Sequence, residues 1–333
     1  MLSSIDVPGR RALICAAATS LAVQPPSICA AATSLTVQPP SARAHYPSSL
    51  SQRFFGQLTL PSMSMHSSVR GDLRYPDWLA GSWRVSNSNY KPGLTLPLGE
   101  RFVDPFLLDQ VRSSETRQYE MRFAVDTGGL CGPSDDGSGL RVRQDRRFNA
   151  IQEENAFNAP AGFLAQRGTF KCDASRPHGI VRLDVLDTMR EPAIESVTPM
   201  FSSGRPLPLE IVRKQAFRST SELEIVWAAS EATDDAFVTS ELLVQRSLLP
   251  PADEVLATAY LELLWKFELP AAPEVSTAVR ARYRVAQYLG FPGIEASRRR
   301  EQLSKAQRAL EREAAGRAVA LLDYDVVLEK MPT

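Results

Sequence analysis

The sequence predicts a mainly β protein: an antiparallel barrel of about 8–11 strands with one surface helix before the last strand. Three observations carry that expectation. Short runs that alternate apolar and polar residues follow one another from Ser82 to the carboxyl end, separated by turn residues. The segment Tyr75–Val85 reads YPDWLAGSWRV, with two tryptophans flanking a glycine directly before the first such run. Only Glu295–Ala315, rich in Arg, Glu, Gln, Lys, Ala and Leu and free of Pro and Gly, has a strong helix composition.

The Gly-x-Trp entry belongs to architecture. The flat indole of Trp83 would cover one end of a barrel, and Gly81 would leave room for a close backbone approach. Strand-like runs are read at Ser82–Tyr90, at Glu115–Asp126 and at Leu140–Phe148. In the second, Tyr119, Met121, Phe123 and Val125 share a face opposite Gln118, Glu120 and Arg122. A short strand is read at Gly168-Thr169-Phe170-Lys171. Further runs are Ile180–Asp187, Glu210–Arg218, Glu222–Ala228, Phe237–Leu248, Ala259–Phe267, Val279–Leu289 and Arg317–Leu328. Gly128-Gly129, Gly204-Arg205-Pro206, Thr233-Asp234-Asp235 and Pro250-Pro251 fall between them as turn signals. In the helical stretch Leu303 and Leu310 give a thin apolar stripe, and Arg298-Arg299-Arg300 reads as its solvated face.

The chain divides into three parts by composition. Residues 1–44 read as a targeting leader: Arg10-Arg11, an apolar stretch Ala12–Val23, and a small-x-small end at Ala42-Arg43-Ala44. Inside it Ile14–Ser27 recurs as Ile28–Ser41, with Thr36 where the first copy has Ala22. Two such short units build no core, so the repeat is a duplication rather than a solenoid. The apolar stretch is too short to span a bilayer, and no transmembrane segment is read. Residues 45–72, rich in Ser and Met without period, read as a disordered linker, and 73–330 as a single barrel domain.

Charge and residue inventory exclude several chemistries. With 38 Lys and Arg against 38 Asp and Glu, nothing electrostatic favours nucleic acid. The three histidines, His45, His66 and His178, provide neither a zinc site nor a Ser-His-Asp or Cys-His constellation. Asp126-Thr127-Gly128 imitates an aspartic-protease motif but has no second copy, and two carboxylates must share a proton there. Ser134–Gly139 lacks the spacing of a calcium loop, and no phosphate-cradling glycine motif occurs. No catalytic residue, metal or cofactor is therefore expected. Of the four cysteines, Cys131 and Cys172 are the pair left once the leader is removed; a disulfide and two free thiols both fit the sequence. Arg141, Arg143 and Arg147 share one strand face, and Arg280, Arg282 and Arg284 another; inward they would hold an anionic head group, outward they solubilise.

Taken together, Tyr75–Val85, Leu96-Pro97-Leu98-Gly99-Glu100-Arg101-Phe102, Asp145-Arg146-Arg147-Phe148-Asn149, Arg284–Leu289 and Tyr324-Asp325 resemble an uncharacterised family of cyanobacterial and plastid proteins, a domain of unknown function. The Gly-x-Trp start is also similar to that of lipocalins. The resemblance implies a photosynthetic origin and a lipocalin-like barrel, and it brings no catalytic residue. With the leader it points to a chloroplast transit peptide and a plastid location, the thylakoid lumen included. The function expected is non-catalytic binding of a small apolar or amphipathic ligand such as a lipid, pigment or quinone. Trp83, Trp227, Trp265 and Tyr283 are candidates for floor and wall, with Arg141, Arg143 and Arg282 for a head group. Plain core packing accounts for the same aromatics. The alternatives are an assembly or auxiliary factor contacting a photosynthetic membrane complex through Glu295–Ala315, and an isomerase or hydrolase inside the barrel.

Overall fold

A computed structural model describes residues 49–55, 58–61, 72–87, 93–103, 118–125, 142–159, 162–173, 176–188, 193–197, 211–215, 218–249, 253–270, 276–291 and 305–332. The elements in chain order are β1 (Gly81–Asn87), β2 (Gly93–Thr95), β3 (Gln118–Val125), β4 (Val142–Gln144), α1 (Arg146–Asn158), β5 (Phe163–Asp173) and β6 (Arg176–Asp187). There follow β7 (Ala193–Val197), β8 (Ile211–Gln215), β9 (Arg218–Ala232), β10 (Ala236–Leu249), β11 (Glu254–Glu268), β12 (Ala278–Tyr288), α2 (Lys305–Ala314) and β13 (Ala320–Lys330). The leader with its duplication, Asp126-Thr127-Gly128, Ser134–Gly139 and Arg298-Arg299-Arg300 lie outside the described residues.

The architecture is mainly antiparallel β, as expected: one sheet in the order β4-β3-β1-β13-β12-β11-β10-β9-β6-β5, curled into a half-barrel, with β2 added alongside β13. The hairpin β7–β8 stands apart from it. Strands β9 to β13 form a plain meander, while β1 lies between β13 and β3 and so joins the meander to the earlier strands. Gly81 opens β1 at φ +120°, a left-handed conformation open to glycine, and a Cβ there would stand 3.3 Å from Cε of Lys330. Just beyond it Trp83 is fully buried, its indole N–H donating to the Leu79 carbonyl at 2.7 Å and its ring lying under the Lys330 ammonium.

Two parts of the sequence fold otherwise than expected. The run Leu140–Phe148 is not one strand. It stops at Gln144, because the Asp145 side chain accepts from the Phe148 N–H at 3.0 Å and caps α1. A helix was not expected here because its inward face is polar, carrying Arg146, Asn149, Glu153 and Glu154 where an apolar stripe would normally announce it. The helix expected before the last strand is present as α2.

The stretch read as linker also holds packed structure. Leu50, Phe54 and Leu58 are buried with Trp227, Val238, Leu242, Leu264 and Tyr288 on the outer face of the meander. Arg53 fastens this segment: its guanidinium donates to both oxygens of Glu262 at 2.8 and 2.6 Å and to the Thr59 carbonyl at 2.9 Å. Ser240 and Tyr288 each donate to Glu262 at 2.7 Å, so the buried carboxylate is fully bonded. Three apolar anchors spread over nine positions, Leu50 to Leu58, gave the sequence no period to display.

Breaking one side of this pair leaves a buried charge without its partner. Arg53→Met is expected to destabilise the fold by about 3–5 kcal/mol, and Arg53→Met with Glu262→Gln to recover part of that loss. Urea denaturation of both variants measures it; an unshifted midpoint in the single variant would place Arg53 in solvent.

Candidate functional site

The helix α1 lies across the concave face of the sheet, against β3, β5 and β6. Between helix and sheet remains a cavity of about 90 Å³, partly open to solvent. Its wall is apolar, made by Ile225 of β9, Leu243 of β10, Leu261 and Trp265 of β11 and Tyr283 of β12. Its roof is polar, made by Arg146, Asn149, Glu153 and Glu154 of α1. The site therefore joins one aromatic-aliphatic surface to one set of hydrogen-bonding groups, the general plan of a small-molecule site.

The wall is rigid. Trp265 stacks on Tyr283 at 4.2 Å between centroids and on Phe267 at 5.3 Å, and Tyr283 continues to Tyr324 at 5.6 Å. These are residues of neighbouring strands in direct register, Trp265 opposite Tyr283 and Tyr283 opposite Tyr324. The Tyr283 hydroxyl ties wall to roof by donating to Glu153 at 2.9 Å.

The roof is held by charge. Arg146, in the first turn of α1, donates to Asp72 at 3.0 and 2.5 Å, to Glu241 of β10 at 2.9 and 2.5 Å, and to Gln144 at 3.2 Å. Burial works against its charge, but Asp72 and Glu241 outweigh that and hold its pKa well above the ordinary value. Asn149 exchanges two bonds with the backbone of Arg122, so its amide is committed to fixing the helix on β3.

Glu154 is the outlier. Only 2 % of it is exposed, and its Oε1 has no hydrogen-bond partner among the described residues. Burial raises its pKa to about 7; the nearby Asn158 amide pulls the other way, and the charge of Glu153 adds to the rise. A carboxyl group balanced between its two states is thus built into the cavity roof.

Of the residues singled out from the sequence, the structure brings Trp265 and Tyr283 together in the wall. Trp83 is buried in the inner core but does not line the cavity. Trp227 belongs to the outer cluster. Strict alternation would put it on the face of Ile225, but a bulge at Val226, where Leu242 pairs with Trp227 and Leu243 with Ile225, turns it outward. Arg282 is exposed beside Asp325 at 3.7 Å, and Arg284 on the same outer face pairs with Asp323 at 2.6 Å under Phe54. Arg143 is buried on β4 away from the cavity, and Arg141 lies outside the described residues. Cys172 is in a disulfide, while Cys131 lies outside the described residues.

Sequence reasoning missed Asp72, Arg146, Glu153, Glu154 and Glu241. One signal was available: Glu241 alternates with Phe237, Thr239 and Leu243, a carboxylate on the inward face of a strand. Among the described residues no group of three or more His, Cys, Asp or Glu is placed to hold a metal ion, and no helix is long and apolar enough to cross a membrane.

Residues 67–173 match the model of a family described as a domain of unknown function (DUF6816), in keeping with the resemblance read from the sequence. The matched stretch runs from just before Asp72 through α1 to the end of β5, so it holds the roof of the cavity. No curated protein and no solved structure matches the chain.

The raised pKa of Glu154 has a signed consequence for stability. Folded, the group keeps its proton to about pH 7, against an ordinary value of 4.5. Between those limits the native state binds more protons than the unfolded one, so this contribution is full below 4.5 and falls as pH rises to about 7. The loss amounts to about 3 kcal/mol. Glu154→Gln is expected to remove it, so the stability difference between wild type and variant changes in favour of the variant from pH 5 to pH 8. A difference that stays flat in urea titrations across that range would mean that Glu154 ionises as an ordinary glutamate.

Proposed function

We propose that this protein is a non-catalytic carrier of a compact amphipathic ligand, held in the cavity between α1 and the concave sheet, in the plastid compartment that its leader addresses. One observation carries the reading: the stacked Trp265–Tyr283 wall faces the polar roof of α1 across a space that side chains leave unfilled. A purely structural core would close such a gap, because an empty volume forfeits dispersion contacts.

Size narrows the ligand. A cavity of about 90 Å³ accommodates several water-sized groups. That fits a small molecule or the end of a larger one, and it is too little for an entire pigment or diacyl lipid. The apolar part lies against Ile225, Leu243 and Trp265, and the polar end meets α1.

Native mass spectrometry of the full chain purified from its own source is expected to show a co-purifying small molecule, absent from a Leu243→Trp variant that fills the cavity. Addition of the released compound to the emptied protein is expected to quench tryptophan fluorescence through Trp265. A protein that carries no adduct, and whose fluorescence small lipids, quinones and amines all leave unchanged, would overturn the proposal.

A further inference from the structure

We infer that the ligand of this cavity is electrically neutral: a small molecule whose hydrocarbon body fills the cavity and whose polar end carries no charge. The inference rests on the carrier reading above and specifies its chemistry.

Most of the lining invites hydrocarbon. Apart from Gln144, Arg146, Asn149, Glu153, Glu154 and Glu241, every residue that lines the cavity is aliphatic, aromatic or methionine. A hydrocarbon body placed there leaves water and meets dispersion partners on most sides.

The polar residues of the lining are already bonded within the protein. Arg146 commits all five of its N–H groups, to Asp72, Glu241 and Gln144. Glu241 is thereby engaged at both oxygens. Asn149 exchanges its two bonds with the Arg122 backbone, and Glu153 accepts from the Tyr283 hydroxyl. Glu154 borders the cavity, but its Oε1 is closed off even from water, so that oxygen offers a ligand nothing.

An ionised ligand needs what this lining lacks. A carboxylate or phosphate calls for open donors, and Arg146, the cation of the lining, has each of its own engaged. An ammonium brings three donors and meets Glu241 bonded to Arg146 and Glu153 bonded to Tyr283. Taking over those bonds is no remedy, because Arg146 drawn away from Asp72 or Glu241 leaves a buried carboxylate unpaired. Either ion exchanges its water for a mainly hydrocarbon surface, and the cost of that exchange is not returned. A hydroxyl or carbonyl escapes it, since one bond or one bridging water at the partly open side satisfies it.

Isothermal titration calorimetry of the full chain at pH 6 with toluene, benzyl alcohol, benzylamine and benzoate tests this, one ring being offered with different end groups. Toluene and benzyl alcohol are expected to bind, and benzylamine and benzoate at least tenfold more weakly than benzyl alcohol. Methyl resonances of protein labelled at methionine report the place: toluene is expected to shift that of Met121, which lines the cavity. Benzylamine or benzoate binding as tightly as benzyl alcohol overturns the neutral-ligand inference and leaves the carrier reading standing. Should none of the compounds bind, or should the Met121 resonance stay in place, both fall.

Discussion

The fold depends on a single demand: a helix with a polar inward face has to be held against the apolar concave side of a curled sheet. Arg146 meets that demand. It stands in the first turn of α1, fully enclosed, with carboxylates from two distant segments on its guanidinium. Removing water from a guanidinium is costly, and only good geometry to paired carboxylates offsets it. Asp72 and Glu241 provide that geometry, so the orientation of α1 over the sheet is fixed by directional bonds rather than by hydrophobic contact alone. The cavity is a consequence, since a helix clamped at its amino end and by Asn149 to β3 cannot settle deeper into the curl.

The outer side of the sheet repeats the device. There a segment near residue 53 lies on the meander, and again one buried arginine reaches one buried glutamate, Arg53 to Glu262. Glu241 and Glu262 sit on the neighbouring strands β10 and β11 and face opposite sides. The central hairpin of the meander thus carries one inward and one outward carboxylate, each receiving an arginine from an element outside the meander. This arrangement specifies where α1 and the amino-terminal segment dock. A hydrophobic face alone would allow either to slide along the sheet, because apolar attraction is not directional.

How far the sequence disclosed this follows from which signals are periodic. Alternation made β10, β12 and β13 legible to within a few residues, while β9 and β11, read as Glu222–Ala228 and Ala259–Phe267, extend to Arg218–Ala232 and Glu254–Glu268, and the composition of α2 was plain. The wall residues Trp265 and Tyr283 followed from that alternation. What was hidden departs from periodicity for a physical reason. The inward face of α1 is polar, so it shows no apolar stripe. The outward turn of Trp227 is set by a single extra residue, Val226, and a bulge leaves no mark in composition. The segment around Arg53 docks through an ion pair whose partner is more than 200 positions away, and no local pattern encodes a contact of that range.

The boundary of the family match carries a final consequence. The matched stretch, residues 67–173, holds Asp72, Arg146, Glu153 and Glu154, the roof of the site. Glu241, Trp265 and Tyr283, the wall and the inward anchor, lie on strands beyond it. Neither half is complete alone. Without the meander, Arg146 would lose one of its two carboxylates and Glu153 its hydroxyl donor. Without the roof, Glu241 would be a carboxylate stranded on an apolar face. The polar groups that close the cavity therefore come from both parts of the chain, which the β1–β13 and β5–β6 ladders already join into one sheet. A molecule that bound the cavity of the folded state alone would stabilise the fold by mass action, through the surroundings of Arg146, Glu241 and the Tyr283–Glu153 bond.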